Sequence, residues 1–197
     1  MKTMKAILAG LILAAGAGTA VAGPDFTGPA KKARPLAASA EANKMILPED
    51  DVVFMNDSAA LLDSGIQQIA TVATFMKRNP KLRIIVEGHA NSLGSAAHNA
   101  DLATARADMV RMHLLGHGIV SDRIIIVVYG ESEADPTPNS VDRRVVLAAT
   151  TEAPAVVARR LMRSQRALSV TYTNGRGKNP VLITETHGTI VEQVATR

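Results

Sequence analysis

The chain has 197 residues, enough for one domain with its own core plus extensions. It contains no cysteine, which excludes disulfides, thiol chemistry and a lipid-modified cysteine anchor. Lys and Arg number 22 against 18 Asp and Glu; two tyrosines, three phenylalanines and no tryptophan exclude an aromatic stacking platform, so no nucleic-acid partner is expected.

Residues 1–22 carry lysines at 2 and 5, an apolar run over 6–17, and Ala20-Val21-Ala22 before Gly23. That order predicts a secretory signal peptide cleaved after Ala22; the run is too short and too rich in Gly and Ala for a spanning helix. Without Lys2 and Lys5 the basic count falls from 22 to 20 against 18 acidic residues. Export without cysteine fits the periplasm, with any place at the outer membrane peripheral and supplied by a partner. Residues 23–47 hold Pro24, Pro29, Pro35 and Lys31, Lys32 and Arg34 among alanines with no apolar period, and read as a flexible linker.

A domain is expected over residues 48–150. Val52-Val53-Phe54 is a short strand, and Ser58 is placed to cap a helix with Leu62, Ile66, Ile69, Ala73 and Met76 at helical spacing. Asn79-Pro80 ends that helix, because the residue before proline avoids helical angles. Residues 82–86 form a second strand, followed by a polar loop and a helix over 99–115 with Asn99 as its cap. Gly116 and Gly118 stop it. The continuous apolar run in residues 123–129 suits a strand buried on both faces. A turn with Pro136 and Pro138 leads to a last strand over 144–149. The order predicts an α+β, two-layer sandwich with helices packed on a mixed four-stranded sheet.

Residues 151–197 form a basic extension. Residues 155–168 can be an amphipathic helix, with Val157, Leu161 and Leu168 on one side and Arg159, Arg163 and Arg166 on another. LSVTYT, PVLITET and TIVEQV then read as three short strands. Residues 154–197 hold seven Lys or Arg against two Glu, a local excess of +5. Such a surface is either a solvated face or a contact for an envelope protein or an anionic membrane.

One residue breaks the apolar pattern. Arg106 shares a helical stripe with Leu102 and Val110, a place where arginine is costly unless its head reaches water, an anion or loop carbonyls. His113 and His117 stand one turn apart, but no glutamate of the H-E-x-x-H kind and no third ligand accompany them, so no metal site or cofactor is expected. No G-x-S-x-G elbow, phosphate-cradling loop or defensible carboxylate pair points to an enzyme, a wall hydrolase included.

The succession IIVEGHAN, GSAAHNADLATARADMV, GIVSDRI, YGESEADP and DRRVVL resembles the OmpA-like domain, the peptidoglycan-binding part of outer-membrane protein A and of the peptidoglycan-associated lipoprotein. The matching positions are Gly88, His89, Gly94, Asn99, Leu102, Arg106, Ala107, Gly118, Ile119, Arg123, Tyr129, Gly130, Arg143, Arg144 and Val145. The resemblance implies non-covalent binding of the diaminopimelate of the peptidoglycan stem peptide, tethering the envelope to the wall. Arg106 would pair with a ligand carboxylate and Arg143 would support it, while Asn91 and Asn99 line the site. A zwitterionic ligand needs one cationic and one anionic partner, and arginine's fork suits a carboxylate. This chain departs from the family pattern where the aspartate for the ligand ammonium is Asn91. Asp142 stands where the family has asparagine and is a candidate replacement anion; Met55 replaces a common aspartate, with Asn56 and Asp57 just after it. The alternative implied by Asn91 is a degenerate domain that keeps the fold and serves as a protein-interaction or structural envelope module.

Overall fold

A computed structural model describes residues 44–134, 137, 141–175 and 180–194. The expected signal peptide, most of the expected linker, and Pro136 and Pro138 lie outside those residues. In chain order the elements are β1 (Lys44–Val53), α1 (Asp63–Arg78), β2 (Arg83–His89), α2 (Ala96–Gly116), a 3-10 turn at Ser121–Arg123, β3 (Ile124–Gly130), β4 (Arg144–Thr150), α3 (Pro154–Arg163), β5 (Ser169–Asn174), β6 (Val181–Thr186) and β7 (Thr189–Val194).

All seven strands join one sheet in the order β1-β4-β2-β3-β5-β6-β7. Only β2 and β3 run parallel, connected through α2; the other pairings are antiparallel. The class is α+β with a mixed sheet, as expected, and the sheet is larger than the four strands predicted. β5 pairs with the free edge of β3, where Ile125 stands opposite Tyr172 and Val127 opposite Val170, and β6 and β7 extend the sheet from it.

Alternation along the strands sorts side chains onto two faces. Ile84, Val86, Ile124, Ile126 and Val128 pack with Ile69, Ala73 and Met76 of α1 and Ala103, Ala107 and Val110 of α2. Ile85, Ile125, Val127 and Tyr129 pack on the opposite face with Val157, Ala158 and Leu161 of α3. The molecule therefore has a third layer that the two-layer expectation lacked. Every residue of β3 is buried, because a helix covers it on each side. Burying Val157 and Leu161 stabilises by about 1.5–3 kcal/mol each, which holds the extension against the sheet.

Two helix starts differ from expectation. Ser95, not Asn99, caps α2, its side-chain oxygen accepting from the His98 amide at 3.2 Å. Asn99 is thereby drawn one turn into the helix and buried. α1 begins at Asp63 after an uncapped Leu62, while Ser58 accepts from the Ala60 amide at 3.1 Å in a local turn. No helix among the described residues is long and apolar enough to cross a membrane.

Candidate functional site

The C-terminal ends of β1, β2 and β3 and the start of β4 meet at one end of the sheet, since Val53 stands opposite Arg144 and Gly88 opposite Val145. Gly88 sets the spacing there. A Cβ on it would lie 2.3 Å from the Ala103 carbonyl oxygen, so only glycine lets α2 settle this close to β2. That close approach delivers Arg106 from α2 to the loops following β1 and β2.

Arg106 is completely buried. Its Nε donates to the Ser58 carbonyl at 2.9 Å, Nη1 to the His89 carbonyl at 3.2 Å and Nη2 to the Met55 carbonyl at 3.1 Å. The guanidinium also lies 5.4 Å from the centroid of the Phe54 ring. Of its five N–H groups, three are thus committed to backbone, leaving two for another acceptor. Burial pushes Arg106 down to about 10, the like charge of Arg143 adds to the fall, and Asp57 opposes it. It stays cationic at neutral pH.

The other residues singled out from the sequence gather unevenly around it. Arg143 donates from Nε to the Phe54 carbonyl at 3.4 Å, on the strand end whose next residue Arg106 also holds. Asn91 is buried, and its Nδ2 has no hydrogen-bond partner. Asn99 is buried in the first turn of α2, donating from Nδ2 to the Glu131 carboxylate. Asn56 and Asp57 are exposed on the loop after β1. Asp57 adopts φ 49°, and its carboxylate meets His98 Nε2 at 2.8 Å. Asp142 is largely buried and faces Arg144 Nη1 at 3.4 Å. The carboxylate whose field reaches Arg106 is that of Asp57.

Two participants went unnoticed in the sequence: His98 anchors Asp57, and Glu131 anchors Asn99. Tyr129, a matching position, stacks on His89 with centroids 5.0 Å apart. Glu131 lies 32 residues from its partner in a loop without period, and no local signal marks it. The extension reaches this region as well. Ser132 Oγ donates to the Arg166 carbonyl at 2.9 Å, and Arg166 pairs with Glu133 at 2.7 Å. His113 and His117 remain isolated; among the described residues no group of three His, Cys, Asp or Glu is placed to hold a metal ion.

Residues 53–146 match the OmpA family model. The chain is 33% identical over 107 residues to outer membrane porin F of Pseudomonas fluorescens, a match covering 52% of this chain and 33% of that protein. It is 30% identical over 99 residues to the peptidoglycan-binding protein ArfA of Mycobacterium tuberculosis, covering 48% of this chain and 30% of that one. Among solved structures, the peptidoglycan-associated lipoprotein from Burkholderia pseudomallei superposes with a TM-score of 0.48 at 24% identity, over 51% of this chain and 90% of that chain. The chain thus spans about a third of the length of the first relatives it matches.

Proposed function

Taking residues 53–146 as an OmpA-family domain, we propose that this protein binds peptidoglycan non-covalently through the diaminopimelate of the stem peptide and tethers the envelope to the wall. The observation that carries this reading is the wholly buried Arg106 with Arg143 close by: two cations at one strand end, both bonded to carbonyls. A ligand carboxylate would take up the N–H groups that Arg106 keeps beyond its three carbonyls. Asn91 is buried with its amide N–H unpartnered, and its carbonyl oxygen is the neutral acceptor left for the ligand ammonium. Asp57, exposed on the loop after β1 and acting on Arg106, is the carboxylate for the ligand ammonium, which would compete with exposed His98 for it. Asn99 shapes the wall through Glu131. In this reading Asp142 serves Arg144 more than the ligand.

Residues 1–22 then direct export, residues 23–47 act as a linker, and the domain works in the periplasm beside the outer membrane. The test is sedimentation of the protein with insoluble peptidoglycan sacculi. Wild type should pellet, Arg106→Lys should not, and Asn91→Asp should pellet more strongly. A second reading, a domain that keeps the fold and binds a protein instead, is favoured by Arg106 having no exposed surface for a ligand to reach. Wild type that stays in the supernatant while Asn91→Asp pellets would establish it.

A further inference from the structure

At the other end of the parallel pair, where β2 and β3 begin, lies a cavity of about 380 Å³ lined by Pro80, Lys81, Leu82, Arg83 and Arg123. It is separated from the Arg106 site by the length of β2, about 20 Å at roughly 3.3 Å per residue. Three of its five lining residues are cationic. Lys77 and Arg78 close the last turn of α1 just before it. The volume is room for about a dozen waters, or for a phosphoryl group with part of what carries it.

The two arginines are fixed there. Arg83 Nη1 donates to the carbonyls of Thr151 and Glu152 at 3.3 and 3.2 Å. Arg123 donates to the carbonyls of Leu82, Met76 and Asn79 at 2.8–2.9 Å. These bonds aim both guanidiniums without neutralising either. Arg83 Nε is buried with no hydrogen-bond partner. Burial holds Arg123 below its ordinary value; Asp122 opposes that fall, while the like charge of Arg83 adds to it. Two guanidiniums that repel, an N–H without an acceptor and an exposed lysine at the rim are the donor set that a tetrahedral oxyanion satisfies. Asp122 and the α1 carbonyls work against an anion, but the carbonyls already accept from Arg123.

We propose that this cavity binds a phosphate-type oxyanion, carried by a lipid headgroup or by a soluble phosphoryl compound. The domain would then hold wall and phosphate at opposite ends of one strand pair. The cavity's chemistry does not depend on whether the Arg106 site is occupied.

The test is titration of the full chain with inorganic phosphate at constant ionic strength, following the Arg123 Nε–H resonance by NMR. The paired assay is cosedimentation with vesicles of phosphatidylglycerol in phosphatidylcholine, with neutral vesicles as control. A saturable shift is expected, about tenfold weaker in Arg83→Gln and several-fold weaker in Lys81→Gln. Lys81 is exposed, so its variant keeps the test readable if Arg83→Gln fails to fold. Vesicle binding that falls in the same variants identifies the carrier as a lipid headgroup. A phosphate response without vesicle binding identifies a soluble phosphoryl ligand. A response to phosphate no greater than to chloride, or one unchanged in both variants, overturns the proposal.

Discussion

Arg106 and Arg123 each turn a guanidinium onto three backbone carbonyls, yet they stand in different surroundings. Arg123 serves Met76 and Asn79 at the end of α1, where helix carbonyls lack partners and a cation is favoured by the helix dipole. Water reaches this half-buried side chain and can replace part of what it does. Arg106 serves Met55 and Ser58 in the loop after β1 and His89 at the end of β2, is sealed from water, and has Phe54 under its face and Arg143 beside it. A carbonyl set alone therefore does not distinguish a bracing arginine from one placed for a ligand. Burial separates the two: Arg106 is sealed beside Arg143 with two N–H groups to spare, whereas Arg123, beside Arg83, is reached by water and so by an anion from solvent.

The largest expected difference is in stability. Arg106→Ala strands the buried His89 carbonyl and empties a fully buried position, so a loss of about 3–5 kcal/mol is expected in urea unfolding. Arg123→Ala, whose acceptors can rehydrate, should lose about 1–2 kcal/mol. Equal losses would break the comparison. Lysine at each position sharpens it further: Arg106→Lys should reduce sacculus binding at least about tenfold, since one ammonium cannot hold three carbonyls and a carboxylate. Arg123→Lys should leave the pelleted fraction unchanged.

A smaller change is expected for Asn91→Asp. A charged acceptor for the ligand ammonium should improve stem-peptide affinity about tenfold, about 1.4 kcal/mol by calorimetry. No gain would mean that Asp57 already supplies that charge. The least effect should come from Arg143→Gln, which removes a like charge from beside Arg106. Its stability should stay within about 0.5 kcal/mol of wild type by thermal unfolding while sacculus binding weakens. A large stability loss would make Arg143 another bracing arginine.

Much of this was legible in the chain. Apolar runs at Ile84-Ile85-Val86 and over 124–128 announced strands, and the spacing of Ile69, Ala73 and Met76 announced α1. Gly88, Arg106 and Arg143 stood out through the family resemblance and are brought to one end of the sheet. The cap of α2 was misplaced because Ser95 and Asn99 are both good cap residues one turn apart, and only the backbone path out of β2 chooses between them. Asp142 was singled out because it stands where the family has asparagine, and no sequence signal showed that its carboxylate would also meet Arg144.

What the sequence determined alone is what depends on near neighbours: element type, order, the α+β class, and the identity of residues too costly to bury without purpose. Tertiary structure decided which distant segments meet. It put β5 on the edge of β3, gave the second face of the sheet to α3, set Glu131 on Asn99 and Asp57 on His98, and closed Arg106 away from water. Periodicity reports which side of an element is apolar and is silent about the partner that covers it, because that choice is a competition among long-range contacts which no short window of residues contains.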